Sequence, residues 1–278
     1  MNTQRSNEYK KPLIRDALEL LDDSAIAWEP LHGGDLSEVI RLRLGSGKDV
    51  VIKSGPHPDR EGRMLHELAY AGAQVPLPIA SNASVLVLED LGRAAGPSNQ
   101  SWPALGTNLR VLHASAGDHY GWSEDYAFGT VRIHNGWSDD WSAFWFEKRL
   151  AADIDQLPAD VARRLESLQA RIDEIVPDRP LTSLLHGDLW SGNVHFASNG
   201  ATYLIDPASY FGHAEVDLAM LTLFGSPPRA FWEAYGKLDE GWELRRNAYQ
   251  LWPALVHLRL FGAGYRSLVE RHFAALER

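Results

Sequence analysis

The sequence predicts an α+β protein of two lobes: a small N-terminal lobe built on a β-sheet, residues 1–91, and a larger, mostly helical C-terminal lobe, residues 92–278. Three observations predict it. Period-two apolar runs separated by a glycine turn fall before residue 90, a stretch rich in Gly, Ala, Pro, Ser and Asn runs from Gly92 to Pro103, and helical periodicity dominates from Leu105 onward. With 278 residues, 45% hydrophobic and 10% aromatic, the chain has ample material for a packed core, which excludes a disordered or collagenous protein.

Leu13, Ile14, Ala17, Leu18, Leu20 and Leu21 recur at helical spacing and predict an amphipathic helix ending near Asp22-Asp23. Past Gly33-Gly34 the period becomes two. Ile40, Leu42 and Leu44 alternate with Val39, Arg41 and Arg43, and Gly45-Ser46-Gly47 leads into a second apolar run, Val50-Val51-Ile52-Lys53, which together make a β-hairpin. A helix over Asp59–Ala71 shows Met64, Leu65, Leu68 and Ala71 on one face; a break at Pro76 and Pro78 precedes a third strand, Ser84–Glu89. The Gly92–Pro103 stretch has the composition of a hinge. Beyond it, helices are expected over Leu105–Leu112, Trp141–Leu150, a single long one over Asp160–Val176, and several from Phe231 to the C-terminus. One β insertion interrupts them: Val194-His195-Phe196 and Thr202–Ile205 flank Asn199-Gly200, a two-residue turn in which both positions tolerate positive φ.

Charge and cysteine content narrow the chemistry. Lys and Arg number 27 against 37 Asp and Glu, a net charge of −10, which excludes a phosphate-backbone binder and points to cationic small molecules. The chain has no cysteine, so disulfides, thiolate metal sites and thiol nucleophiles are ruled out. The first twelve residues carry no apolar leader core, and no stretch reaches the roughly 18 apolar residues a membrane span needs, so a cytoplasmic location without a membrane partner is expected. Nothing in the sequence speaks to oligomeric state.

The most informative segment is His186-Gly187-Asp188-Leu189-Trp190-Ser191-Gly192-Asn193, with Ile205-Asp206-Pro207 following 13 residues after Asn193. In kinases a catalytic-loop Asp takes the proton of the acceptor hydroxyl, an Asn five residues later binds metal, and a second Asp, returned by a short hairpin, holds Mg²⁺ against the phosphates. Asp188, Asn193 and Asp206 stand at those offsets. A kinase also needs a strand lysine, a carboxylate on the next helix and a glycine-rich turn ahead of both. Lys53, Glu61 and Gly33-Gly34-Asp35-Leu36-Ser37 occupy that order, so Gly33, Gly34, Ser37, Lys53 and Glu61 are candidate nucleotide-binding residues. Glu89-Asp90-Leu91 falls where a hinge would offer main-chain groups to adenine, making Glu89 and Leu91 further candidates.

Competing motifs fail. Gly45-Ser46-Gly47-Lys48 lacks the first glycine and the closing Ser or Thr of a P-loop, His66-Glu67 lacks the second histidine of a zinc helix, and no Gly-x-Ser-x-Gly occurs. Only about six residues separate Asp206 from the next helical segment near His213 or Glu215, too few for a peptide-binding activation segment, and Gly187 replaces the Arg that would receive an activating phosphate. The pattern is that of a small-molecule kinase.

The run His186–Asn193, the segment Asp206-Pro207-Ala208-Ser209-Tyr210-Phe211-Gly212-His213-Ala214-Glu215-Val216-Asp217-Leu218-Ala219-Met220, and Leu223-Phe224-Gly225, Tyr120-Gly121-Trp122, Asn135-Gly136-Trp137 and Asp140-Trp141 resemble the fructosamine kinase (ketosamine-3-kinase) family. That family sits within the aminoglycoside-phosphotransferase-like, protein-kinase-like group, and the resemblance spans about Gly33 to Tyr265. It implies ATP and Mg²⁺ as cofactors and phosphorylation of the 3-hydroxyl of a ketoamine, as a small molecule or as glycated lysine on proteins, leading to deglycation. It implies Asp188 as base, Asn193 and Asp206 as metal ligands, the Lys53–Glu61 pair on the ATP phosphates, and Trp190, His213, Glu215 and Asp217 near the substrate, with Glu215, Asp217 or Trp190 facing its ammonium; Asp217 also fits a buttress of the catalytic loop. An aminoglycoside or amino-alcohol phosphotransferase of the same fold is the alternative, and a catalytically silent nucleotide-binding protein is the reading from another class. Of the ten Trp residues, Trp122, Trp137, Trp141 and Trp145 are expected in the core, and Trp190 alone sits within the catalytic loop.

Overall fold

The computed structural model describes residues 11–31 and 37–278. The N-terminal part is an antiparallel sheet of five strands in the order β1-β2-β3-β5-β4: β1 Ala25–Leu31, β2 Val39–Leu44, β3 Asp49–Lys53, β4 Pro78–Ser81 and β5 Leu86–Glu89. The expected hairpin pairs Val39 with Lys53 and Arg43 with Asp49, which places Ile40, Leu42 and Ile52 on a buried face. Helix α1, Pro12–Leu21, opens on a proline whose missing N–H costs nothing at that position, and buries Leu13, Ile14 and Ala17 against this face. Helix α2, Pro58–Tyr70, also opens on proline and carries Asp59 and Glu61 in its first turn, where the helix dipole favours carboxylates. Strands β1 and β4 were not expected. In β1 no residue is buried, and β4 is four residues that open on a proline and turn Ile79, 50% exposed, outward, so neither shows in its sequence the apolar alternation that marks a half-buried strand.

The C-terminal part is helical, with β elements too short to show a period. Helix α3, Ser101–His113, follows the hinge-like stretch; β6 Tyr120–Trp122, β7 Tyr126–Phe128, β8 Val131–Ile133 and β9 Gly136–Ser138 come next, then α4 Trp141–Trp145, which runs into a wider turn over Phe146–Leu150. The long helix expected over Asp160–Val176 is two, α5 Ala159–Gln169 and α6 Ile172–Ile175, parted where Arg171 leaves helical geometry. Strands β10 Thr182–Leu185, β11 Val194–Phe196, β12 Thr202–Leu204 and β13 Tyr210–His213 precede α7 Glu215–Leu221, α8 Arg229–Tyr235, α9 Trp242–Phe261 and α10 Arg266–Leu276. A four-stranded sheet in the order β10-β13-β6-β9 and two hairpins, β11-β12 and β7-β8, lie among these helices; of them only β11-β12 was expected.

The packing is close. At Gly106 in α3 a Cβ would stand 2.5 Å from the Phe231 carbonyl oxygen of α8, so glycine lets the two helices touch through their backbones. Trp122, Trp141 and Trp145 are buried as expected, whereas Trp137 is 54% exposed. We propose that the lobes divide after Leu91, past the end of β5. The apolar core is nevertheless continuous across that point, because Met64, Leu65 and Leu68 of α2 join the cluster that fills the helical part. Asn108 adds a polar tie, its Oδ1 accepting from Gln74 N–H at 2.8 Å and its Nδ2 donating to Gln74 and Thr202 carbonyls at 3.2 and 3.3 Å.

Candidate active site

Strand β3 ends on Lys53 and the first turn of α2 presents Glu61, both buried. Lys53 Nζ donates to Glu61 Oε1 and Oε2 at 2.8 and 2.9 Å and to Asp206 Oδ1 at 2.8 Å, so a residue of the sheet, one of its helix and one from 153 positions away meet at a single ammonium. Asp206 holds a left-handed backbone, φ 58°, which turns the chain sharply out of the β11-β12 hairpin. That hairpin brings Ile205 back beside Asn193, its N–H donating to the Asn193 carbonyl at 3.0 Å. Asn193 Nδ2 in turn donates to the carbonyl and to Oδ2 of Asp188 at 2.8 and 2.9 Å.

The loop carrying Asp188 is held from beneath. Asp217 is buried and accepts from the main-chain N–H groups of His186 and Gly187 at 2.7 and 2.9 Å, with His113 Nε2 at 3.1 Å. Burial alone would raise the Asp217 carboxyl, but the hydrogen bonds from His113 and from the Gly187 N–H hold it below the usual carboxylate range. His186 Nε2 lies 2.8 Å from the Ile205 carbonyl, and burial lowers its pKa, keeping the ring neutral as that carbonyl's donor. At Gly187 φ is 83° and a Cβ would stand 2.0 Å from the Ala208 carbonyl oxygen, so no other residue fits.

Lys53, Glu61, Asp188 and Asp206 line one cavity of about 480 Å³ together with Ser37, Trp190 and Asn193. A model of the family described as fructosamine kinase matches residues 22–277. The chain belongs to the fructosamine kinase family. A candidate ketoamine kinase of Synechocystis is 36% identical over 71% of this chain and 70% of its own length, and one of Thermus thermophilus is 35% identical over 94% and 99%. The crystal structure of a candidate fructosamine-3-kinase from Thermobifida fusca superposes with a TM-score of 0.83 at 28% identity, covering 95% of this chain and 98% of that one.

The structure thus brings Lys53, Glu61, Asp188, Trp190, Asn193, Asp206 and Ser37 of this fructosamine kinase family member to one cavity. Trp190 is 41% exposed, its ring over Gly192. Gly33 and Gly34 lie outside the described residues. Glu89 and Leu91 do not line the cavity; the Glu89 carboxylate accepts from Leu77 N–H at 3.2 Å, so what this segment could offer a nucleotide is main chain. Three expected substrate residues are placed elsewhere. His213 is buried with Nδ1 2.7 Å from the Tyr249 hydroxyl, and burial, with Arg245 adding, pushes it down to about 3. Glu215 is buried and clamped by Arg245, whose Nε and Nη2 each reach a carboxylate oxygen at 2.7 Å. Asp217 faces the catalytic loop from below, in the buttress position. No carboxylate of α7 is therefore presented to a substrate cation.

Sequence reasoning missed the walls. Tyr126, Ala127 and Phe128 of the β7-β8 hairpin form one, and Val216 and Met220 of α7 with Trp252, Val256 and Leu260 of α9 form another. The signal for the last three was present: they recur at i, i+4 and i+8 on one helix face.

Burial sets the charge states at the catalytic end. It pushes Asp188 up to about 7, with Asn193 pulling the other way and Asp206 adding to the rise. It likewise pushes Glu61 up to about 7 against the pull of Lys53. Lys53 ends above its ordinary range because Glu61 and Asp206 together outweigh its burial, so it remains a cation.

Proposed function

We propose that this protein transfers the γ-phosphoryl group of ATP to the 3-hydroxyl of a ketoamine, the sugar adduct of an amine, as a free small molecule or as glycated lysine. The observation that carries the reading is the junction of Lys53, Glu61 and Asp206 beside Asp188 in one cavity, the arrangement phosphoryl transfer needs and few other reactions do. Membership of the fructosamine kinase family supports the acceptor class. Asp188 acts as the base. Its carboxylate takes the hydroxyl proton as that oxygen bonds to the γ-phosphorus and the bond from phosphorus to the leaving ADP oxygen breaks. Lys53, held rigid by two carboxylates, places its charge on the phosphates, and positioning with charge neutralisation supplies most of the catalysis.

Asn193 and Asp206 fit Mg²⁺. Both offer hard oxygens, Asn193 spends its Nδ2 on Asp188 and so keeps Oδ1 as an acceptor, and the Asp206 side chain is 37% exposed toward the cavity. Among the described residues no group of three or more His, Asp or Glu could hold a metal ion alone, so phosphate oxygens would have to complete the coordination of an ion held by Asn193 and Asp206. Bound there, the ion would neutralise charge developing on the phosphates. Among the described residues no helix is long and apolar enough to cross a membrane.

An ADP-release assay over ketoamines, amino sugars and aminoglycosides tests the reading. Turnover of ketoamines above the others is expected. Robust aminoglycoside phosphorylation with no ketoamine turnover would move the protein to the alternative acceptor class, and nucleotide binding without turnover of any acceptor would make it a silent binder.

A further inference from the structure

We propose that the Tyr126 hydroxyl is a catalytic donor, which hydrogen-bonds an outer oxygen of the phosphoryl group in transit and stabilises the charge that group carries between ATP and the acceptor. The inference rests on the phosphoryl-transfer reading and deepens it, whichever acceptor is used. Tyr126 opens β7 and lines the cavity with Lys53, Glu61, Asp188 and Asp206. Its ring is buried in the continuous core, directly across the β7-β8 hairpin from Ile133, which is buried too. His57, the residue before α2, packs on it from another side, ring centre 5.9 Å from ring centre. A phenol placed in this way has its apolar body fixed in the core and a polar tip that needs a partner. The frame around it is rigid. The Asp125 carbonyl accepts from Arg60 at 2.7 Å, Asp125 Oδ1 accepts from the Asn135 N–H at 2.7 Å, and Asn135 Oδ1 accepts from the buried Arg149 at 2.9 Å.

Among the described residues no hydrogen bond engages the hydroxyl; burial and the charges of Glu61, Asp206 and Asp188 raise its pKa, so the phenol keeps its proton and can donate. It stands within reach of the charges on both sides of the reaction, Glu61 and Asp206 toward the nucleotide and Asp188, the proposed base, toward the acceptor. The phosphoryl group passes between them. Other donors at that end are spent, Lys53 on Glu61 and Asp206, and Asn193 Nδ2 on Asp188. Lys53 is also the one Lys or Arg lining the cavity among the described residues. Charge in the transition state spreads over the three outer oxygens of the phosphoryl group, so an uncommitted donor has most to offer there. Donation to the attacking oxygen would weaken the nucleophile, and the leaving oxygen lies on the side of Lys53. A donor held by packing needs no reorganisation as the reaction proceeds, which is the condition under which a single hydrogen bond accelerates it most.

The test is Tyr126→Phe, which keeps the ring and its packing and removes the hydroxyl alone. That hydroxyl has no partner among the described residues to strand, so the melting temperature should stay that of the wild type. In the variant kcat and the kcat/KM for the acceptor should fall together by about 10²-fold, the usual cost of removing one preorganised donor. The dissociation constants of Mg·ATP and of the acceptor, measured by calorimetry, should hardly change. Affinity for Mg·ADP with aluminium fluoride, a mimic of the phosphoryl group in transit, is a readout that packing alone would not move: it should weaken by a similar factor, while affinity for Mg·ADP without fluoride is kept. Wild-type kcat in Tyr126→Phe, with the fluoride complex bound as tightly as before, overturns this inference alone. A raised acceptor KM at unchanged kcat overturns it too, because the hydroxyl would then serve the acceptor's ground state. A wild type that transfers phosphate to no acceptor overturns the phosphoryl-transfer reading and this inference with it.

Discussion

In the proposed mechanism Asp188 is the base of the chemical step, so its neutral isostere should separate chemistry from nucleotide binding. Asp188→Asn is expected to lower kcat by about 10²-fold or more, with the ATP dissociation constant measured by calorimetry changed little, because a general base contributes about 10²–10⁴-fold and acts on the other substrate. Because burial raises Asp188 to about 7 and the base works only when ionised, kcat/KM for the acceptor should climb tenfold per unit pH below about 7 and level off above it. Glu61 is pushed up to about 7 in the same cavity, so Glu61→Gln, which removes the second titration, tells which group the limb reports. These residues were legible in the sequence because phosphoryl transfer demands particular side chains at fixed offsets along short, locally folded segments. Glu215 and His213 were not legible in the same way: their partners, Arg245 and Tyr249, lie 30 and 36 positions away on another helix, and no local spacing reveals a carboxylate already claimed by a guanidinium.

At the scale of elements, the catalytic loop depends on α7 through Asp217. Asp217→Ala removes the acceptor of two buried main-chain N–H groups and of His113, and should destabilise the fold by about 3 kcal/mol or more, read from thermal or denaturant unfolding. Helix α2 is tied to the β6-β7 turn, Arg60 donating to the Asp125 carbonyl at 2.7 Å and Arg63 to Glu124 at 2.7 Å, both within the same helical turn as Glu61. Glu124→Ala should therefore raise KM for ATP severalfold while shifting stability by under about 1 kcal/mol, the usual range for exposed pairs; an unchanged KM would show that α2 needs no such tie. The β2-β3 hairpin, α2 and β11-β12 were readable because each has a clear period or a diagnostic turn. Strands β6 to β10 and β13, three or four residues each, are too short to carry one, and they were missed together with the β7-β8 wall of the site.

For the whole molecule, two parts sharing a continuous apolar core enclose a cleft that Lys53 and Asp206 span from opposite sides. Mg·ATP should bridge the same gap, so at about 100 times its dissociation constant it should add about 2.7 kcal/mol and raise the melting temperature by several degrees, an effect largely lost with EDTA. The two-part architecture was readable from the change of period near residue 90; the continuity of the core was not, since it arises when Met64, Leu65 and Leu68 of α2 join the cluster of the helical part, Met64 Sδ lying 3.3 Å from the Ser209 N–H, 145 positions ahead. The central claim is that this cleft moves phosphate from ATP to one oxygen of a ketoamine. The most direct test is phosphorus NMR of the product formed from a ketoamine and Mg·ATP: a phosphate coupled to the proton on carbon 3 is the expected result, and phosphate on any other hydroxyl would contradict it.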